Sequence, residues 1–287
     1  MRNLALNFKN APLPIPPMDY SPEHFRQLIR VLEIYFNQLN AWNLQVYNAL
    51  TSSGGASIIL PYGAFYQNGT TALTGNLSNN STTPIPVTST SAFQNSGFLI
   101  IGTEIIEYTG KTSNTFTGIT RGVKGSTNVS HNTGDAVSEA AAVTVGTAAA
   151  SIIDTVVSSY LVTCTVPDSR VYFSYAGIYN VQFSAQFLNF TTSDDNVTVW
   201  FRKNGTDVPE SASIQQVNAK HGSSPGASIL ALNIIEVFAE GDYVELYWTS
   251  NSGNTILGTY PAGTTPTTPV SPSLILTATF VSAIPTS

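Results

Sequence analysis

The chain has one cysteine, Cys164, among 287 residues. That excludes an intrachain disulfide and a zinc site built from several cysteines. Charge is also scarce. Asp, Glu, Lys and Arg make up 10% of the chain, against roughly 25% in typical soluble domains. The polar surface must therefore come from Ser, Thr, Asn and Gln, as on secreted or particle-borne β-proteins. Eleven basic residues against 17 acidic ones leave a net charge of −6. No basic cluster exceeds Arg202-Lys203, so no nucleic-acid partner is expected, because non-specific affinity for phosphates comes mainly from Lys and Arg. No run nears the roughly 18 apolar residues that span a bilayer, so no membrane insertion is expected. Met1–Asp19 lacks the long apolar core of an export leader. The expectation is a protein made inside a cell and released on a particle.

Signals for chemistry are equally thin. The three histidines, His24, His131 and His221, are far apart and none sits in a metal-binding helix motif. No Gly-x-Ser-x-Gly elbow precedes a helix, and no glycine loop leads into Lys-Ser/Thr. Glu104 and Glu107, three apart in a strand, point to opposite faces and cannot share acid–base work. Two readings stand for Asp194-Asp195-Asn196: a solvated hairpin turn, or oxygen donors for Ca²⁺. No catalytic, cofactor-binding or metal residue is assigned, no cofactor is expected, and the chain is read as not an enzyme.

What the sequence has in quantity is strand pattern. From Gly177, Tyr179, Val181, Phe183, Ala185 and Phe187 alternate with Ile178, Asn180, Gln182, Ser184 and Gln186, which is period two. Asn196–Lys203 is a second strand, stopped by Asn204-Gly205. Ala227–Phe238, Tyr243–Trp248 and Leu274–Ser282 complete a set with Gly, Asn and Asp turns. Such sets read as an antiparallel sandwich or barrel. The order Ala176-Gly177-Ile178-Tyr179, the ending Lys203-Asn204-Gly205 and the turn Glu240-Gly241-Asp242-Tyr243-Val244 resemble the tumour-necrosis-factor-like jelly roll of complement-type globular heads. The resemblance covers about 165–287, with a further strand near Pro61–Leu73. It implies a homotrimer with its heads packed around a threefold axis.

The N-terminal part differs. Met1–Tyr20 carries Pro12, Pro14, Pro16 and Pro17 and is expected to be extended. It reads either as a loose terminus or as an anchor gripping a partner through Leu4, Leu6, Phe8, Leu13, Ile15 and Met18. Ser21-Pro22-Glu23 then opens a helix, with Ser as N-cap and Pro at the first helical position. Phe25, Leu28, Leu32, Tyr35, Leu39, Trp42, Val46 and Ala49 follow at steps of three and four. That is a heptad seam, and four heptads make a stalk of about 45 Å. The bulky aromatics at one seam position favour three strands. The other reading is an amphipathic helix lying on its own domain.

Gly75–Pro86 reads as a Ser/Thr/Asn-rich linker. A glycine-punctuated segment follows, with Glu104-Ile105-Ile106-Glu107-Tyr108-Thr109-Gly110 and Thr120-Arg121-Gly122. It is similar to a small β-module that recurs in bacteriophage appendage proteins, over about 84–140. Tyr243, Tyr247, Trp248 and Tyr260 read either as an aromatic platform for a ligand, with Tyr247, Trp248 and Tyr260 as its members, or as filling of the head's core and threefold interface. The expected architecture is mainly β. It comprises an anchoring arm at 1–20, a coiled-coil helix at 21–52, a linker and first head strand at 53–83, the small module at 84–140, inserted in the head if that strand exists, and an antiparallel jelly-roll head at 141–287. The two resemblances together imply a structural protein of a phage virion. It would be a trimeric tail or head fibre or knob, anchored by its arm in capsid, portal or tail proteins, with a head that meets a host glycan or protein. Capsid decoration without a receptor, and polysaccharide cleavage, are the alternatives.

Overall fold

The computed structural model describes Ile15, Met18 and residues 21–51, 60–165 and 169–284. The anchor residues Leu4, Leu6, Phe8 and Leu13 lie outside the described residues, as does the side chain of Ala49. Two compact units result, the first ending at Leu60 and the second running from Pro61 to Ser287.

The first unit contains one helix, α1 (Pro22–Thr51). The Ser21 hydroxyl accepts from the His24 amide at 3.3 Å, so Ser21 is the N-cap that satisfies an orphan donor of the first turn. Glu23 pairs with Arg26 on the exposed surface of that turn.

The second unit is antiparallel β, with two curled sheets face to face in a jelly-roll-like arrangement. Its strands are β1 (Tyr62–Gln67), β2 (Thr70–Ala72), β3 (Gly97–Ile101), β4 (Glu104–Tyr108), β5 (Ala136–Ala142), β6 (Thr155–Tyr160), β7 (Val162–Thr165), β8 (Arg170–Phe173), β9 (Gly177–Asn189), β10 (Asp195–Lys203), β11 (Ser213–Val217), β12 (Gly226–Phe238), β13 (Tyr243–Ser250), β14 (Ile256–Gly258) and β15 (Leu274–Ser282), with shorter pieces between. The larger sheet runs β6-β1-β15-β9-β14-β5-β3-β4, with β12 on the other side of β9 and β2 against β5. The smaller runs β7-β8-β13-β10, with β11 alongside β10. Alternation decides which side chains meet between them. Tyr179, Val181, Phe183, Ala185 and Phe187 of β9 are buried against Val197, Val199 and Phe201 of β10 and Leu246 and Trp248 of β13. Phe173 stacks on Phe238 with centroids 3.8 Å apart, closing one end of this core.

The segment 84–140 does not stand apart. β3 and β4 form a hairpin, β3 pairs with β5, and β5 pairs with β14, so these strands continue the jelly-roll sheet. The run Phe98-Leu99-Ile100-Ile101 is apolar without alternation because both faces of β3 are covered. Leu99 and Ile101 join a core with Leu73, Leu77, Ile85, Phe116 and Val137, while Ile100 meets Leu188, Phe190 and Ile256. The stretch expected to be a linker, Gly75–Pro86, supplies Leu77 and Ile85 to that core, so it is packed structure. A single compact unit spans the boundaries expected at 84 and 140, and β5 crosses the second of them.

Candidate functional site

Three surface regions hold side chains whose placement calls for explanation. The first is α1. Phe25, 55% exposed, and Leu32 and Leu39 of the heptad seam are uncovered in the single chain, as are Ile29 and Phe36 on its flank. Leu28, Tyr35, Trp42 and Val46 are half-buried. Ile29 and Phe36, seven residues apart, widen the seam into a broad apolar stripe that the two-position heptad reading left out. Ile15 and Met18 of the arm are exposed.

The second is β12. It runs the full length of β9 and among the described pairings has no other strand partner. Leu230, Leu232 and Ile234 lean toward the core, while Ile229, Ile235 and Val237 face outward, Ile235 being 65% exposed. A long, regular edge strand with an apolar outer face is a surface that proteins normally cover or charge.

The third is the outer face of the smaller sheet. Here the structure separates residues that the sequence reading grouped. Trp248 is 1% exposed and packs against Phe187 at 5.6 Å between centroids, so it is core and belongs to no ligand surface. The signal was legible in the parity: Val244, Leu246 and Trp248 point inward, so Tyr243, Glu245 and Tyr247 point outward. Tyr260 lies outside that sheet, bridged to Ser271. Strand pairing brings other residues to Tyr247 instead. Trp200 sits opposite it with ring centroids 6.0 Å apart, and the Arg202 guanidinium lies 4.3 Å from the Tyr247 centroid. Arg170 covers Tyr243 at 4.7 Å, and Tyr172 lies 5.4 Å from the same ring. A row of alternating charge crosses the strands: Arg170 to Glu245 at 3.1 Å, then Arg202 to Asp207 at 2.9 Å. Trp200 Nε1 also donates to Asp207, at 2.8 Å.

A buried polar centre holds the 84–140 region together, and the sequence reading missed it. Glu104 is 0% exposed. Its carboxylate accepts from Arg121 Nε at 2.5 Å and Nη2 at 2.6 Å, from His131 Nε2 at 2.9 Å, and from the Gly122 and Val129 amides at 3.1 Å. The remaining Arg121 donors reach the Ser78, Ser81 and Val129 carbonyls. Gly122 turns the following chain sharply with a φ of +62°, and a side chain there would collide with Asn128. His131, read from sequence as an ordinary loop residue, is buried because its backbone bridges Leu77 in both directions. Burial alone would push the Glu104 carboxyl up. The hydrogen bonds from His131, Arg121 and Val129 outweigh it and hold the carboxyl down to about 2, from its ordinary 4.5. Glu107, on the other face of β4, takes no part among the contacts around Glu104.

Asp195 of the acidic turn is likewise buried, between exposed Asp194 and Asn196. Asp195 accepts from the Ser250 and Thr255 hydroxyls, both at 2.6 Å, and from the Ser252 amide at 2.9 Å. Asp194 takes the Gln216 side chain and the Ala219 amide. Among the described residues no three His, Cys, Asp or Glu side chains are grouped to hold a metal ion, and no helix is long and apolar enough to cross a membrane.

No family model and no curated protein matches the chain. Among solved structures, the chain is similar to a crystal structure of murine APRIL, at 11% identity and a TM-score of 0.32, over 47% of this chain and 88% of that one. A likeness at that level carries no argument, and the fold described here rests on the strand pairing.

Proposed function

We propose that the chain is a non-enzymatic structural protein of a bacteriophage virion. In this reading it is a homotrimeric fibre or knob, held by its N-terminal arm in capsid, portal or tail proteins, and it presents a jelly-roll head. The observation that carries the reading is apolar surface left uncovered on both units: the stripe Phe25, Ile29, Leu32, Phe36 and Leu39 on α1, and the row Ile229, Ile235 and Val237 on β12. Fully burying one such side chain contributes about 1.5–3 kcal/mol, so each surface favours association. Winding three helices covers the first, and seating three heads around a common axis covers the second. The sequence resemblance of 84–140 to a phage appendage module is what directs the assembly to a virion.

Mass measurement in solution tests the assembly. A trimer is expected, and a monomer with helix and head intact would overturn the reading. Ile235→Asp and Leu32→Asp, each a charge on one surface, are expected to weaken the trimer. Virion assignment is tested separately, by probing purified particles with an antibody to the head.

For the head, the outer face carrying Tyr172, Trp200, Tyr243 and Tyr247 replaces Trp248 and Tyr260 as the surface on which a host glycan or protein would rest. Three such faces add their contacts by effective concentration. One observation favours the second reading, a decoration or head fibre without a receptor: the Tyr243 and Tyr247 rings are already covered by Arg170 and Arg202. Adsorption of the purified trimer to host cells, compared with a Trp200→Ala/Tyr247→Ala variant, separates the two. Adsorption lost in the variant supports this face as the host-binding surface, equal adsorption by both proteins rules this face out, and none by either favours decoration.

A further inference from the structure

Glu139 of β5 is 1% exposed and is one of two carboxyls that meet at the β1–β2 turn. The other is Asp154, just before β6. A Cβ placed on Gly69 would lie 3.0 Å from Glu139 Oε2 and 3.3 Å from Asp154 Oδ2, so the two groups converge on the same glycine. Their surroundings differ. Asp154 accepts from the Asn68 amide at 3.0 Å and the Gly69 amide at 2.9 Å, and it shares the Thr155 hydroxyl, 2.7 Å away, with Asn68 Oδ1. Glu139 accepts one amide, that of Gln94, on Oε1 at 3.2 Å. Its Oε2 is buried without a hydrogen-bond partner, as is Gln67 Nε2; the Gln67 side chain lies against the carboxyl and favours its charge, but less than burial and Asp154 oppose it.

Among the described residues no cation pairs with either acid. Lys111, on the adjoining loop, is held by the Thr90 and Phe93 carbonyls. The other groups turned toward Glu139 are neutral: the Tyr108 hydroxyl donates to the Gln94 carbonyl at 3.0 Å, and the Thr259 amide donates to the Glu139 carbonyl at 3.3 Å. Beside half-buried Asp154, the buried Glu139 carboxyl is strongly disfavoured as an anion, so a proton or a metal ion must stand between them. Calcium takes six to eight oxygens, and no third acidic or metal-ligating side chain completes such a group among the described residues. Backbone amides are gathered on Asp154, so the Oε2 of Glu139, which has no hydrogen-bond partner, is where the proton resides.

We infer that Glu139 is kept as a neutral carboxylic acid whose Oε2–H donates to Asp154, and that this shared proton is a pH-sensitive latch. It ties the β1–β2 turn, β5, the Ala92–Gln94 loop and the segment entering β6, where the 84–140 region meets the jelly-roll sheet. Burial first, then the hydrogen bond and charge of Asp154, push the Glu139 carboxyl well above its ordinary range, in keeping with this arrangement. The sign follows. The folded chain holds a proton that the unfolded chain releases, so the latch is fully effective below the ordinary glutamate value. It weakens as pH rises toward the elevated one, by up to about tenfold in the opening equilibrium per pH unit.

The test is amide hydrogen exchange of the full-length assembly at about pH 5 and about pH 9, corrected for intrinsic rates and read at Asn68, Gly69 and Gln94. Wild type is expected to lose protection there at the higher pH. Glu139→Gln, whose amide donates without titrating, is expected to keep it. The same pH response in both proteins overturns the inference. So does protection that rises with added Ca²⁺ or Mg²⁺ in wild type and not in Glu139→Gln, since a metal ion would then take the proton's place. Should the variant not fold, wild type alone decides: at about pH 6.5, where ordinary carboxyls are ionised, its infrared spectrum must contain a protonated-carboxyl stretch, and absence of that band overturns the inference.

Discussion

Two buried glutamates, Glu104 and Glu139, sit in the same sheet and are shut away from water almost equally. Their fates are opposite. Glu104 is met by an arginine, a histidine and two backbone amides, and its charge is stabilised below the ordinary range. Glu139 is met by one amide and another acid, and its charge is resisted. Burial is common to both, so burial does not decide the ionisation state. The number and sign of the partners that the fold brings to each carboxyl decides it.

The comparison can be broken from the Glu104 side with the largest effect. Arg121→Ala strands a buried carboxylate and is expected to destabilise the head by about 3–5 kcal/mol in denaturant unfolding. His131→Ala removes one donor and leaves Arg121 in place, so a loss of about 1–3 kcal/mol is expected by the same measurement.

The pH dependence sharpens it. The depressed Glu104 contributes stability that is complete above its ordinary 4.5 and is lost as pH falls toward about 2. Acid unfolding of wild type should therefore be steep in that window, and shallower in Glu104→Gln. That variant is itself less stable at neutral pH, because a neutral amide matches Arg121 poorly. Glu139→Gln gives the smallest change, within about 1 kcal/mol at acid pH, and its effect lies in flattening the loss at higher pH. If both substitutions flatten the same limb of a stability–pH curve, the contrast between the two sites is wrong.

Much of the fold was legible in order. The alternation from Tyr179 to Phe187 names the buried face of β9, because strand side chains alternate faces whatever their partners. Ser21 was legible as an N-cap, since capping needs only the neighbouring turn. Glu104 and Glu107 were legible as facing opposite ways for the same local reason. Trp248 could have been placed inside by continuing the parity of Val244 and Leu246. Its neighbour Tyr247 drew it into the wrong group through chemical likeness.

Other residues could not be placed that way. His131 lies 27 positions from Glu104, and Asp154 lies 85 from Gly69. Nothing in their local sequence distinguishes them from solvated loop residues. Leu77 and Ile85 look like linker residues until β3 and β4 are present to cover them.

By itself, then, the amino-acid order determined the start of the helix and the faces of the strongly alternating strands, because those depend on contacts within a few residues: the cap of a helix and the pleat of a strand. Only the tertiary structure decided which charges are stabilised and which are suppressed. That depends on pairing between distant strands, which sets Arg121 and His131 on one glutamate and an aspartate on the other.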